Sequence, residues 1–325
     1  MNKEQILFFF SSIGSSLINS TKDLRAQNFE KILIVKLDEI GDMLYILHVI
    51  DALRESYPEG QIDIWCKKMN NGLVVDRING QILNDIKKPN SRYDLVVDLR
   101  GTWRSLFWAL WGGTSFRLDR GTIRIRNKFQ GGQKHERITN WEIVEPVVSK
   151  NYRDPSLLPN TEDVTAVSSL LAEIGIEKFA LIHTGARDEI RRWPFERFIE
   201  LAEYLKDRYQ LPTLVCGGPE EVQLLEQKLE GFSFIHSVAG RTSLNQLGVL
   251  AKKASVFIGN ESGPLHFATL AKTPLVALFG PGVEGVFYPY HQTSKIIHPL
   301  GLPTEKRMEA ITFDNVKIQV DQLMV

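Results

Sequence analysis

The chain is poor in cysteine and has no long apolar run. Cys66 and Cys216 are its only cysteines, and each lies in a short apolar segment far from the other. Such cysteines are typical of small buried hydrophobic residues, and two of them make neither a disulfide framework nor a zinc site. No stretch of about 20 apolar residues is present, which excludes a membrane-spanning helix. These absences predict a reducing, cytoplasmic setting.

An excess of charge of either sign is also missing. The 39 basic and 39 acidic residues cancel over a length of 325 residues. A protein that binds nucleic acid non-specifically usually carries a net basic charge, so we expect no nucleic-acid partner. The length is too great for one ordinary core and predicts about two domains.

The first 30 residues differ in composition from the rest. Gln5 to Thr21 contains no charged residue, and residues 7–10 read Leu-Phe-Phe-Phe. The segment lacks the basic start and long apolar centre of a signal peptide. We predict a helical extension at residues 1–30 that packs on the first domain. A shallow anchor on a membrane surface is the alternative.

From Lys31 onward, short apolar runs alternate with longer mixed segments. This alternation is typical of β/α units with parallel sheets. It predicts strands at residues 32–35, 62–66, 94–99, 179–183, 213–216, 234–236, 256–258 and 275–278, and helices at residues 43–57, at residues 194–209 and from Glu220 onward. Residues 114–137 show no clear periodicity and are expected to be largely loop.

Two successive α/β domains follow from this pattern. The composition of residues 146–159 is that of an interdomain linker. We therefore place the first domain at residues 31–150, the second at residues 165–310 and a C-terminal helix at residues 311–325. Ligands of such sheets bind beyond the carboxyl ends of the strands, so the turns at those ends are the candidate sites.

The first of these turns contains Gly41 and Asp42. A dehydrogenase that binds NAD would have a G-x-G-x-x-G turn here, and its absence disfavours that class of enzyme. Asp42 lies near the start of a predicted helix, where a helix cap is the commonest use of an aspartate. A carboxylate at this edge could instead accept a proton from a substrate hydroxyl.

The second turn follows the strand that ends at His183. Thr184, Gly185 and Ala186 would expose backbone N–H groups, and the next helix would add its positive end, which together predict an anion site. Arg191 and Arg192 could supply fixed charge to a diphosphate. A solvated basic turn is the alternative.

The third turn runs from Asn260 to His266. Ser262 and Gly263 would bring a hydroxyl and backbone donors to a helix start, and His266 could bond a phosphate or a sugar. An ordinary capped helix is the alternative. The sequence has no Asp-x-Asp motif, the metal–diphosphate device of many glycosyltransferases. We therefore expect no metal and no cofactor, with side chains and helix ends stabilising a leaving diphosphate.

Several segments together resemble glycosyltransferase family 9, which contains the ADP-heptose:lipopolysaccharide heptosyltransferases. They are KLDEIGD (36–42), HTGARDEIRRWP (183–194), VCGGPEE (215–221), VAGRTSLNQL (238–247) and GNESGPLHFATLAKTPLVALFGP (259–281). The resemblance implies the α/β fold named GT-B, with two Rossmann-like domains whose parallel sheets face across a cleft. It also implies metal-independent, inverting transfer of a heptose or related sugar from a nucleotide sugar such as ADP-heptose to a glycolipid such as the lipopolysaccharide core.

The resemblance also implies roles for single residues. Asp42 would be the general base, and Arg191 would balance the diphosphate charge. Glu261, Ser262, Gly263 and His266 match the donor-binding segment. Either Glu220 or Glu221 would bind the nucleotide ribose, and the sequence does not choose between them.

Glu261 stands where the family usually has aspartate, and this longer side chain leaves the donor sugar open. One alternative is therefore a family member that uses another nucleotide sugar, in O-antigen or capsule assembly. A nucleotide-sugar-binding protein without transfer activity is a separate alternative, which the presence of Asp42 disfavours.

A basic cluster lies in the predicted first domain. It could bind the phosphorylated acceptor or the anionic cytoplasmic face of the inner membrane, and a solvated loop is the alternative. Its members are Arg117, Arg120, Arg124, Arg126 and Lys128. The nearby aromatic residues Trp103, Phe107, Trp108 and Trp111 are expected to be packing residues.

Overall fold

The computed structural model describes residues 3–19, 24, 27–130 and 132–324. The chain forms two units, each with its own parallel sheet, and divides between Ser156 and Leu157. Residues 146–159, all of them within the described ranges, contain no helix or strand. Parts of the predicted segments 1–30 and 311–325 lie outside the described residues.

The sheet of the first unit is built from short apolar runs. Its described strands are β1 (Lys31–Lys36), β2 (Gln61–Cys66), β3 (Ile82–Leu83), β4 (Tyr93–Asp98) and β5 (Thr114–Asp119). They pair in parallel in the order β3-β2-β1-β4-β5. The order reverses direction between β1 and β4, and the carboxyl ends of these two strands therefore flank the position where doubly wound sheets bind ligands.

Helices cover this sheet on both faces, as burial of nearly continuous apolar strands requires. The described helices are α1 (Lys3–Asn19), α2 (Ile40–Leu44), α3 (Leu47–Ser56), α4 (Asn71–Val74), α5 (Trp103–Trp108), α6 (Arg120–Phe129) and α7 (Glu136–Val144). A π-helical turn at Ala109–Gly113 follows α5. The predicted helix at residues 43–57 is thus two helices, separated at Tyr45 and Ile46.

The prediction for residues 114–137 was wrong. They contain strand β5 and helix α6, which begins where Asp119 accepts a hydrogen bond from the backbone N–H of Thr122. Arg117 lies on β5 and is fully buried, so this strand does not show the apolar alternation on which the prediction depended.

The second unit contains a parallel sheet of the same kind. Its described strands are β6 (Ala180–His183), β7 (Thr213–Val215), β8 (Ile235–Ser237), β9 (Val256–Asn260), β10 (Leu275–Leu278) and β11 (Ser294–Ile297). Their order is β11-β10-β9-β6-β7-β8, the order of a Rossmann sheet. The strand order reverses between β6 and β9, which places His183 and Asn260 side by side at the candidate ligand edge.

The helices of the second unit follow the predicted β/α alternation. They are α8 (Thr161–Ile174), α9 (Phe195–Tyr209), α10 (Val222–Lys228), α11 (Leu244–Lys253), α12 (Gly263–Ala271), α13 (Arg307–Ala310) and α14 (Phe313–Leu323). Trp193 is buried in the core beside Phe198, and its indole N–H donates to the carbonyl oxygen of Ile311 at 2.7 Å. No helix in the described part of the chain is long and apolar enough to cross a bilayer.

Candidate active site

Asp42 lies in the short helix α2, directly beyond the carboxyl end of β1. It is the third residue of the helix, and the N-cap position belongs to Glu39, whose side chain makes no capping bond. Among the described residues, none donates a hydrogen bond to the Asp42 carboxylate. The helix-cap alternative for Asp42 is therefore wrong, and its carboxylate remains available to a ligand.

Two ion pairs fix the charge next to Asp42. Lys36, the last residue of β1, is fully buried, and its ammonium lies 2.9 Å from Oδ2 of Asp38. The guanidinium Nε of Arg100 lies 2.9 Å from Oδ1 of the same carboxylate. Burial raises the pKa of Asp38, but the charges of Lys36 and Arg100 outweigh it, so that the pKa lies below its ordinary value.

A second buried carboxylate belongs to Glu136 at the start of α7. Arg120 and Arg124 of α6 approach it to 3.0 and 2.6 Å. Burial raises the pKa of Glu136, but the positive charges of Arg120, Lys36 and Arg124 outweigh this effect. The pKa therefore lies below its ordinary value, and the carboxyl group is ionised. The structure thus gives Arg120 and Arg124 an intramolecular partner.

The buried, charged surroundings of Asp42 raise its pKa above its ordinary value. Burial is the largest cause, and the negative charges of Asp38 and Glu136 add to it, while Lys36 and Arg120 act in the opposite direction. A carboxylate with a raised pKa binds a proton more strongly and is a better general base.

A pocket of about 710 Å³ opens near the same sheet edge of the first unit. Its lining combines aromatic and apolar side chains with three cations and one acid, Asp85, and this excess of cations is suited to an anionic group. The lining residues include Leu37, Trp65, Lys67, Lys87, Trp103 and Arg104. This pocket lies on a unit whose predicted role is to bind the acceptor.

In the second unit, Asn260 joins the two central loops. Its side-chain amide donates to the carbonyl oxygens of Thr184 and Gly185 at 2.8 and 3.2 Å. Its side-chain oxygen accepts from the backbone N–H of Trp193 at 3.0 Å. The 184–193 loop is thereby held against the end of β9, with Ala186 accepting from Nε of Arg192 at 2.9 Å.

His183 connects Ser262 to Glu221. Nδ1 of His183 is hydrogen-bonded to the hydroxyl of Ser262 at 2.8 Å, and that hydroxyl lies 3.1 Å from the carbonyl oxygen of Asn260. On the other side of the ring, Nε2 lies 3.6 Å from Oε2 of Glu221. These bonds orient groups from the ends of β6, β7 and β9 toward one place.

Glu221 and Glu220 have different surroundings. Glu221 is half-buried and accepts from the backbone N–H of Gly218 at 2.9 Å, whereas Glu220 is exposed. Burial raises the pKa of Glu221, but His183 and the N–H of Gly218 lower it below its ordinary value. A Cβ atom at Gly185 would lie 2.1 Å from Oε1 of Glu221, so a larger residue here would displace that carboxylate.

Arg191 pairs with Glu261, which follows β9. The guanidinium NH1 lies 3.2 Å from Oε2 of Glu261, and Nε lies 3.3 Å from Asp188. Glu261 is nearly buried, and burial raises its pKa against the opposing charge of Arg191. The predicted diphosphate-balancing arginine and the unusual glutamate are therefore in direct contact.

Helix α12 presents its N-terminus at this edge. Ser262 is its N-cap residue, but the side chain makes no capping bond because it bonds to His183 and to Asn260 instead. The capped-helix alternative is thus wrong for this serine. A Cβ atom at Gly263 would meet nothing within 4 Å, so open space lies beside the first turn. An anion there would face backbone N–H groups and the positive end of the helix.

His266 lies one turn into α12 and is largely buried. Its ring packs near Phe287, with the ring centroids 6.2 Å apart. In the described residues, no three His, Cys, Asp or Glu side chains lie close enough together to hold a metal ion.

The predicted basic cluster does not form one exposed surface. Arg117 is fully buried and bonds to Asp98, and Arg120 is buried against Glu136. Arg124 shares Glu136 and is mostly buried. Within this cluster, Arg126 and Lys128 are exposed to solvent. The membrane-surface role predicted for Arg117 and Arg120 is therefore wrong, because the folded unit needs them to balance interior carboxylates.

The sequence interpretation missed several members of these sites. Lys36 and Asp38 lie in the quoted segment 36–42, and a charged pair directly after a buried strand could have identified them. No local sequence pattern identifies Glu136, because its charge acts on Asp42 only through the tertiary fold. His183 was recognised as a strand end but not as the connection between Ser262 and Glu221.

Comparison with known proteins relates this chain to a family of enzymes. The family model described as glycosyltransferase family 9 (heptosyltransferase) matches residues 152–315, half of the chain. Lipopolysaccharide heptosyltransferase 3 of Escherichia coli strain K12 is 25% identical over 284 residues, which cover 76% of this chain and 81% of that protein.

Two solved structures share the fold. The family 9 glycosyltransferase of Veillonella parvula superposes with a TM-score of 0.74 at 17% identity, covering 93% of this chain and 98% of the other. The ADP-heptose lipopolysaccharide heptosyltransferase II of E. coli gives a TM-score of 0.69 at 19% identity, covering 90% and 98%. The predicted α/β GT-B class is confirmed by this shared fold of two Rossmann-like units. The chain belongs to glycosyltransferase family 9 and is a glycosyltransferase of the heptosyltransferase type.

Proposed function

We propose that this enzyme transfers a heptose from ADP-heptose to a lipopolysaccharide core acceptor, with inversion and without a metal ion. The observation that carries the proposal is the site at the ends of β6 and β9. There Arg191, the start of α12 and the carboxylate of Glu221 provide groups for a diphosphate and a ribose. The E. coli relative and one of the two solved structures named above are heptosyltransferases by name, and ADP-heptose is named for that structure.

The second unit is proposed to hold the donor. The N–H groups at the start of α12 and the guanidinium of Arg191 stabilise the diphosphate as it leaves with an additional negative charge. Thr184, Gly185, Ala186 and Arg192 form the backbone and cationic side of this site. Glu221 accepts hydrogen bonds from the ribose hydroxyls, because its carboxylate is ionised and held in place by the N–H of Gly218.

The first unit is proposed to activate the acceptor. The carboxylate of Asp42 takes the proton of the acceptor hydroxyl while the oxygen attacks the anomeric carbon of the sugar. The new carbon–oxygen bond forms as the bond from that carbon to the phosphate oxygen breaks, and ADP leaves on the opposite face. The raised pKa of Asp42 strengthens it as the proton acceptor.

An alternative donor sugar is favoured by one observation. Glu261 replaces the aspartate usual in the family, and its carboxylate lies against Arg191. If this acid also contacts the sugar hydroxyls, the longer side chain changes the space for the sugar. A family 9 transferase that uses another nucleotide sugar, in O-antigen or capsule assembly, is the second candidate.

A donor panel tests the proposal on the full chain. ADP-heptose, UDP-sugars, GDP-sugars and NADH are compared for thermal stabilisation, and transfer to heptose-deficient lipopolysaccharide is followed by mass spectrometry. We expect stabilisation by ADP-heptose and an acceptor that gains one heptose, with turnover unchanged by EDTA. Stabilisation by a UDP- or GDP-sugar alone would assign the alternative donor. Binding of ADP-heptose without transfer to any core acceptor would indicate a binding protein, and loss of turnover in EDTA would contradict metal independence.

A further inference from the structure

Five aromatic rings form a continuous exposed row on the first unit. Consecutive ring centroids, in the order Phe9, Phe10, Trp103, Phe107 and Trp111, lie 5.6–5.8 Å apart. Their side chains are 40–81% exposed, with Trp111 the most exposed. Trp103, Phe107 and Trp111 contact neighbouring rings, as expected of packing residues, but they are exposed and not part of the core. Trp108 packs inward, against Tyr93.

The helices that present the aromatic row, α1 and α5, are fixed by contacts within the first unit. The guanidinium of the buried Arg117 bonds to the backbone oxygen and hydroxyl of Ser11 and to the hydroxyl of Ser15, which fastens α1 to the sheet. On the neighbouring side, a Cβ atom at Gly14 would lie 2.6 Å from Leu106, so α1 and α5 are in close contact. Helix α1 is thus an integral part of the unit, and its outer face presents further exposed apolar side chains at Ile6, Ile13 and Leu17.

Exposed basic side chains lie on this surface and on the neighbouring helix α6. Residues 5–19 carry no charge, and residues 103–113 carry only Arg104, which is exposed. Helix α6 touches α1 where Thr122 bonds to Ser12, and it contains no acid. Its Arg126 and Lys128 are exposed, whereas its other two arginines pair with the buried Glu136. A second copy of this chain seated on the same surface would bring no acidic side chain from residues 5–19 or 103–113 to pair with Arg104. Anionic lipid headgroups instead complement the cations, and tryptophan and phenylalanine favour the bilayer interface.

The row also reaches the pocket at the sheet edge. Trp103 belongs to the row and also lines the pocket of about 710 Å³. Its neighbour Arg104 lines the same pocket, whose other cations are Lys67 and Lys87. A lipid-linked acceptor lying in the bilayer would therefore meet the pocket next to the aromatic rings.

We propose that the aromatic row of α1 and α5 inserts into the interfacial layer of an anionic bilayer and so presents the pocket to a lipid-linked acceptor. The second half of this statement rests on the proposed function, because it takes the acceptor to be a glycolipid. The first half is independent of catalysis.

Vesicle binding by the full chain tests the insertion. Cosedimentation is measured with vesicles of phosphatidylethanolamine and phosphatidylglycerol, and with phosphatidylcholine vesicles as the neutral comparison. The variant Phe107→Ser/Trp111→Ser is compared with Leu224→Ser/Ile318→Ser, which removes two exposed apolar side chains from the second unit. We expect the wild type and the control to bind the anionic vesicles, and the row variant to bind about tenfold or more weakly.

A second measurement uses the unaltered protein and so does not depend on the folding of a variant. Brominated lipid should quench the fluorescence of Trp103 and Trp111, which are exposed before binding. The proposal would be overturned if the row variant and the control bound vesicles equally, or if no quenching were seen. It would also be overturned if the wild type bound no vesicles but formed a dimer that the row variant disrupts.

These vesicles contain no donor and no acceptor. Transfer to a lipid-free core oligosaccharide is measured separately, so that failure of the proposed function is distinguished from failure of insertion.

Discussion

At the scale of single residues, the proposed role of Asp42 as general base can be tested most directly. Asp42→Ala and Asp42→Asn should lower kcat by about 10²–10⁴-fold, the usual contribution of a general base. Donor affinity should be kept, because the donor groups lie in the second unit. Since the buried carboxylate has a raised pKa, its ionised form is disfavoured in the folded state, and Asp42→Asn should leave the melting temperature unchanged or higher.

Single-turnover kinetics, isothermal titration of donor and thermal unfolding measure these three quantities. Asp76→Asn removes an exposed carboxylate of the same unit and is the matched control. Near-normal transfer by Asp42→Ala would remove this residue from the role of base.

The pH dependence gives an independent prediction for Asp42. Transfer requires the carboxylate, so activity falls as the pH drops through the pKa of Asp42. Because that pKa lies above the ordinary aspartate value of 3.8, the acidic limb of kcat/KM should lie at a higher pH than for an exposed aspartate. Asp42→Asn should lack this limb in its residual activity. A limb at or below the ordinary value, in a range where the protein stays folded, would contradict the assignment.

The choice between Glu220 and Glu221 is a second prediction at this scale. Glu221→Gln should weaken binding of ADP by about 1.5–3 kcal/mol, the range for hydrogen bonds to charged groups. Glu220→Gln, which alters an exposed neighbour, should leave the affinity nearly unchanged. Isothermal titration with ADP measures both. A larger effect at Glu220 would reverse the choice.

At the scale of elements, a buried arginine side chain contributes to the attachment of α1 to the first unit. Arg117 pairs with Asp98 at 2.7 Å while bonding to Ser11 and Ser15, and both charged side chains are fully buried. Arg117→Met leaves the Asp98 carboxylate without its cation, which costs about 3–5 kcal/mol in comparable buried pairs. Chemical denaturation measures the loss. Arg92→Met, which removes an exposed bond to Ser115, should cost no more than about 1 kcal/mol, and equal losses in the two variants would refute the role of Arg117.

The elements also show what the sequence could and could not predict. Strands β1, β2, β4, β6 and β9 were predicted because strands buried on both faces read as apolar runs. Strand β3 has only two half-buried residues and β11 is partly exposed, so neither has such a run. Strand β5 was missed because Arg117 interrupts its pattern, and its partner Asp98 is distant in sequence.

The candidate site also contains features that the sequence could predict and features that it could not. Strand ends and glycine-rich turns located Asp42, Gly185 and Ser262 from local pattern alone. The contact between Arg191 and Glu261, and that between Glu136 and its arginines, depend on tertiary packing that no spacing reveals. The exposure of the aromatic row was not predicted because helical aromatic spacing is the same for a packed and an exposed face.

At the scale of the whole molecule, the two units have separate sheets and separate proposed reactants. Binding of ADP to the full chain should therefore slow amide hydrogen exchange in the second unit, at residues 184–193, 217–221 and 260–266. Hydrogen-exchange mass spectrometry measures the change. Asp42→Ala should show the same protection as the wild type, because it leaves the donor groups intact. Protection confined to the first unit, or lost in Asp42→Ala, would refute this division of roles.

The link between Arg117 and α1 has a consequence for synthesis on the ribosome. Ser11 and Arg117 are separated by 106 residues, so α1 is made long before the side chain that fastens it. At about 5–20 residues per second, the delay is on the order of ten seconds. During that time Phe8, Phe9 and Phe10 leave the ribosome without the helices that later flank them. The nascent chain is therefore open to chaperones, or to the bilayer itself, before the first unit is complete.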